Sequence, residues 1–109
     1  MNRAIDADTW AARGIVSQMA NIGSEIGRAL DAKERGQQKR AAEAAARAYE
    51  LFDLTLGATS GTPREIEVRL ARDEFSRAMA GELKPDELAA LRRYYEWFAL
   101  RFVGSISKR

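Results

Sequence analysis

The chain has 109 residues, with 18 Lys and Arg against 16 Asp and Glu, a net charge of +2. This is the length of one domain, and it is sufficient for a single hydrophobic core without cross-links. Because there is no Cys and no His, the chain has no thiolate ligand and lacks the most common general acid or base. We therefore predict that it is not an enzyme and that it holds no metal and no cofactor.

The N-terminal region does not match a targeting segment. Asp6 and Asp8 stand where a signal peptide would be apolar. The longest uncharged stretch with a helical pattern, residues 14–24, is much shorter than the ~20 apolar residues of a membrane-spanning helix. We expect a cytoplasmic protein with no membrane partner.

The first predicted helix covers residues 7–35 and carries two glycines four residues apart, Gly23 and Gly27. Its bulky apolar side chains recur at helical spacing, at Ile15, Met19, Ile22, Ile26 and Leu30. Each glycine inside a helix costs about 0.8–1 kcal/mol relative to Ala. We therefore predict that another helix packs closely against Gly23 and Gly27.

The second predicted helix covers residues 37–56, with many alanines at its start and bulky side chains at its end. The turn before it is basic. Four cations lie there, Lys33, Arg35, Lys39 and Arg40. They are either solvated turn residues or contacts for an anionic partner, and we name them the basic corner.

The third predicted helix covers residues 63–80. Thr62 is expected to cap it, Pro63 to take its first position and Glu65 to complete a capping box. Val68, Ala71, Phe75, Ala78 and Met79 share one face of this helix. Ile66 and Leu70 lie on roughly the opposite side. Two apolar faces indicate a helix sandwiched within the bundle or between subunits.

The fourth predicted helix covers residues 85–106 and has a second set of apolar residues outside its main face. Trp97 and Leu100 point away from that face, with Tyr94 on the flank and Arg93 and Arg101 around them. Aromatic and Arg residues dominate interface hot spots and also suit stacking on single-stranded bases. Burial within the chain, a contact between subunits, and a heterologous partner or nucleic acid all remain open for this patch.

Four helices joined by short turns predict an all-α fold, an up-down four-helix bundle in a single domain over residues 1–109. Our leading functional hypothesis is a self-associating, non-enzymatic accessory or adaptor protein that docks a protein partner. The alternative is an accessory protein that binds RNA or single-stranded DNA. Its candidate contacts are Lys33, Arg35, Lys39, Arg40, Arg93, Arg101, Lys108 and Arg109.

Residues 17–28 also carry a family resemblance. They resemble the Ser-x-x-x-Asn-Ile-Ala-Glu-Gly-x-x-Arg segment of four-helix-bundle proteins of the ribosomal intervening-sequence family, which includes the accessory variability determinant of diversity-generating retroelements. The shared residues are Ser17, Asn21, Ile22 and Arg28. That resemblance implies a homo-oligomeric bundle docking on RNA or on a nucleic-acid enzyme such as a reverse transcriptase. The wider pattern is more similar to short uncharacterised prokaryotic all-helical proteins with an Asn-Ile-Gly-Ser-Glu core, which implies no particular activity.

Overall fold

The computed structural model describes residues 5–107, which form five α-helices and no β-strand. The helices are α1 (Ala7–Ala12), α2 (Ile15–Glu34), α3 (Gln38–Ala58), α4 (Arg64–Met79) and α5 (Pro85–Ser107). The prediction of an all-α fold is confirmed. Within residues 5–107, no helix combines the length and the apolar character that crossing a bilayer requires.

The prediction of one helix over residues 7–35 is wrong, because the chain breaks at Gly14 into α1 and α2. Gly14 has φ 81° and ψ 162°, which lies outside the helical region and is accessible to glycine at little cost. The break allows α1 to pack against α3. Trp10 of α1 is fully buried there, and its indole N–H donates to Thr55 Oγ1 at 2.8 Å. The Gln18 side chain closes the corner by donating to the Trp10 carbonyl at 3.0 Å.

The start of α4 also differs from the predicted capping box. The helix begins at Arg64, and the Thr62 hydroxyl donates to the Thr59 carbonyl at 2.7 Å instead of capping α4. Glu65 reaches back one residue further than expected and accepts from the Gly61 N–H at 2.9 Å. The hydrogen bond from the Gly61 N–H is the main cause that holds the pKa of Glu65 below its usual value, and the one from the Arg69 side chain is the second.

Helix α2 is the centre of the fold, since it packs against α3, α5 and α4. Helix α3 also contacts α4 and α1. In the part of the chain that the structure describes, α4 and α5 have no comparable backbone contact with each other. The fold therefore has one side, between α4 and α5, where two consecutive helices stand apart.

The two glycines of α2 have different surroundings. A Cβ on Gly23 would lie 2.7 Å from Cβ of Tyr95, so α5 packs directly on the α2 backbone at this point. A Cβ on Gly27 would meet no described atom within 4 Å. The prediction of close packing at Gly27 is wrong, because this residue borders an open hollow of about 310 Å³ between α2 and α5.

We expect Gly27→Ala to stabilise the protein by about 1 kcal/mol, since it improves helix propensity and fills only open space. The same change at Gly23 is expected to destabilise by about 1–3 kcal/mol, because Cβ of Tyr95 sits next to the backbone and cannot turn away. Urea unfolding of the two variants measures both effects. Shifts of the same sign would contradict the packing described above.

Candidate interaction surface on helices α4 and α5

Large apolar side chains remain exposed on only two helices of the described chain. On α4, Ile66 and Leu70 are 68% and 64% exposed, and on α5, Trp97 is 51% exposed. Leu100 and Val103 are exposed as well. The second apolar face predicted for the third helix is therefore not covered by the described part of the chain.

Ile66 and Leu70 form one wall of a groove of about 640 Å³ between α4 and α5. Its residues from α5 are Ala90, Leu91 and Tyr94, of which Leu91 is buried. The groove exists because α4 and α5 stand apart while each packs on α2. We refer to it as the α4–α5 groove.

Tyr94 links the two helices at one end of the groove. Its hydroxyl donates to Glu67 Oε2 at 3.0 Å, and its ring meets the rings of Tyr95 and Phe98 edge-on at 5.0 and 5.2 Å. Burial, followed by the hydrogen bond to the Glu67 carboxylate, raises the pKa of the Tyr94 hydroxyl above its usual value. Tyr94 is therefore protonated at neutral pH and remains a donor to Glu67.

Trp97 lies beyond Tyr94 on the same side of α5. One part of its ring packs edge-on against Phe98, with ring centroids 4.8 Å apart, beside a hollow that Ile15 also borders. The Arg101 guanidinium lies over the ring, 4.8 Å from its centroid. Half of the Trp97 side chain thus belongs to the chain's own packing, and the other half is open to a partner.

The predicted α5 patch is brought together on one side of the helix. Tyr94, Trp97 and Arg101 follow one another at spacings of three and four residues, so they lie in one stripe. Arg93 and Leu100 are each three or four residues from Trp97 and flank that stripe. We name the outer part, Trp97, Leu100 and Arg101, the α5 ridge.

The charges differ between the groove and the ridge. Glu67 and Glu74 border the groove, and its described lining contains no Lys or Arg. Among the described residues, Glu67 pairs with Arg64 at 3.4 Å, whereas Glu74 has no ion-pair partner. Arg93 and Arg101 on α5 likewise form no ion pair within this part of the chain. The surface therefore combines an apolar, acidic groove with an apolar, basic ridge.

The predicted nucleic-acid contacts separate into two sets. The basic corner is exposed and lies at the end of the molecule that holds the turn from α4 to α5, since the Lys33 ammonium is 3.9 Å from the Cβ position of Gly81 in that turn. Arg93 and Arg101 lie about 12 and about 24 Å further along α5, at 1.5 Å per residue from Pro85. Lys108 and Arg109 lie outside the described residues.

Sequence reasoning missed the acidic edge of the groove. Glu67 and Glu74 are seven residues apart and flank Ile66 and Leu70, so helical spacing alone contains the signal that they share one side of α4. No group of three or more acids within the described chain is arranged to hold a metal ion. The groove is therefore an apolar cleft with two carboxylates at its edge.

Comparison of the chain with known protein-family models, with curated proteins and with solved structures found no match. Function must therefore be inferred from the chemistry and exposure of the α4–α5 surface itself.

Proposed function

We propose that this chain is a non-enzymatic accessory or adaptor protein of the cytoplasm that self-associates and docks a protein partner. The supporting observation is the apolar surface of α4 and α5, where Ile66, Leu70 and Trp97 are all more than half exposed. Contiguous apolar patches of this kind mark interaction sites on soluble proteins. The Trp97 and Arg101 pair beside a groove is the residue combination that dominates binding hot spots.

We further propose that α2 to α5 are the four helices of an up-down bundle that is open between α4 and α5. In such a bundle each helix packs against two neighbours. Contacts of α2 with α3, of α3 with α4 and of α2 with α5 supply three of the four sides. A partner seated in the α4–α5 groove would cover the fourth.

We expect the purified protein to be larger than its single-chain mass of 12.1 kDa at tens of micromolar. The reason is the exposed groove, which can lose its contact with water only by association. Size-exclusion chromatography with light scattering gives the mass directly. A species that stays at the single-chain mass over this concentration range would refute self-association.

Binding of single-stranded nucleic acid is the second candidate function. It is favoured by Arg93 and Arg101, which flank the exposed Trp97 ring and have no acidic partner among the described residues. Titration with labelled single-stranded RNA at low salt tests it. Support would be binding that weakens steeply with salt and is lost in the Arg93→Ala, Arg101→Ala double variant. Absence of binding at low salt would exclude it.

A further inference from the structure

We infer that the occupant of the α4–α5 groove is a second copy of this chain, in a two-fold dimer where the α5 ridge of each copy fills the groove of the other. The inference rests on the proposed self-association and adds which surfaces meet. A two-fold interface is isologous, so if residue i of one subunit contacts residue j of its partner, then j also contacts i. The surface must therefore be complementary to itself.

The groove and the ridge are complementary in both apolar character and charge. The groove offers Ile66 and Leu70 and, at its edge, the carboxylate of Glu74, which has no ion-pair partner among the described residues. The ridge offers Trp97 and Leu100 with the guanidinium of Arg101. Glu96 is next to Trp97 in sequence but does not belong to the ridge, since it borders the hollow between α2 and α5. A basic partner would match only the groove and an acidic partner only the ridge, whereas a second copy matches both at once.

The order of residues along α5 permits this exchange. Ala90 and Tyr94 border the groove, and Trp97 and Arg101 continue the same stripe toward the C-terminal end of the helix. If two α5 helices run antiparallel about an axis midway between Tyr94 and Trp97, each Trp97 faces Tyr94 of the partner subunit. Arg101 then faces Ala90 of the partner subunit.

This register places Arg101 beside Glu74 of the partner subunit. Glu74 borders the groove together with Ala90, the residue that the two-fold axis sets opposite Arg101. Arg101 is already held in position by Trp97, with its guanidinium 4.8 Å from the ring centroid. Because both charges lack a partner within the described chain, their pairing replaces no existing ion pair. Each dimer would contain the Arg101–Glu74 contact twice.

A charge exchange tests the register. The Arg101→Glu chain carries two acids at the contact, and the Glu74→Arg chain carries two bases, so each homodimer would contain two like-charge pairs. We expect each variant alone to dimerise at least about ten-fold more weakly than the unmodified chain. An equimolar mixture should regain the original affinity, because both contacts of the mixed dimer are oppositely charged. Native mass spectrometry separates the mixed dimer from the two homodimers, and light scattering gives the affinities.

Arg40→Glu is the matched control, since it makes the same change in the basic corner, outside both the groove and the ridge. It should dimerise like the unmodified chain. Because Glu74 and Arg101 are exposed, circular dichroism should show that the exchanged variants keep their helical content.

Three results would overturn the inference. If the unmodified chain self-associates but the mixture stays as weak as the single variants, the register is wrong and self-association stands. If Arg101→Glu dimerises like the unmodified chain, the ridge is not in the interface. If the unmodified chain is monomeric, both the register and the proposed self-association are wrong. Binding of single-stranded RNA by that monomer, lost in Arg101→Glu but kept in Arg40→Glu, would then assign the ridge to nucleic acid.

Discussion

Trp10→Ala is expected to lower the free energy of unfolding by about 3–5 kcal/mol, the largest loss of stability that we predict for a single substitution in this chain. Trp10 is fully buried, and it is the only buried residue of α1. Its removal leaves a cavity between α1 and α3 and breaks the hydrogen bond to Thr55. A domain of this size has roughly 5–15 kcal/mol of stability, so Tm should fall by more than about 10 °C.

Two milder variants separate packing from hydrogen bonding at this site. Thr55→Val keeps the volume but leaves the buried indole N–H of Trp10 without its acceptor, which should cost about 1–3 kcal/mol. Trp10→Phe removes the N–H and part of the ring, and its loss should fall between those of Thr55→Val and Trp10→Ala. Urea unfolding can be followed by the fluorescence of Trp97, which all three variants retain. A loss below about 1 kcal/mol for Trp10→Ala would mean that α1 is not docked on α3.

The long helices could be predicted because their buried residues repeat at helical spacing. Met19, Ile22 and Ile26 of α2 are all buried, as the pattern requires. The break at Gly14 could not be predicted in this way, since a six-residue helix is too short to show a periodic face. What holds α1 in place is the contact of Trp10 with Thr55, 45 residues away, and hydrophobic periodicity does not contain that information.

The exposed apolar residues of α4 and α5 could be predicted from the sequence for a different reason. Ile66, Leu70 and Trp97 stand out on a helical wheel because they lie off the main apolar face of their helix. The groove itself was not accessible, because it depends on how far α4 and α5 stand apart. The same limit explains why close packing was predicted for both Gly23 and Gly27. The two glycines lie four residues apart on one face of α2, but Tyr95 packs only against Gly23.

Replacing both wall residues of the groove, Ile66→Gln with Leu70→Gln, is expected to weaken self-association by about 30- to 1000-fold for each groove that is filled, and a two-fold dimer fills two. Full burial of such a side chain contributes about 1.5–3 kcal/mol. Ile66 and Leu70 are 68% and 64% exposed in the single chain. Burying the exposed parts of both side chains on association would therefore contribute about 2–4 kcal/mol. Stability of the isolated chain should change little, because the side chains are exposed and Gln has a helix propensity close to that of Leu. Light scattering over a dilution series measures the first effect and urea unfolding the second.

Val103→Gln is the matched control for this variant. Val103 is also exposed, but it lies about 120° around α5 from Trp97, outside the groove. A general loss of apolar surface would weaken association in both variants, whereas a specific groove contact is lost only in the Ile66, Leu70 variant.

The Ile66, Leu70 variant also distinguishes the two candidate functions. Nucleic-acid binding through Arg93 and Arg101 would survive the change on α4, and a protein partner in the groove would not.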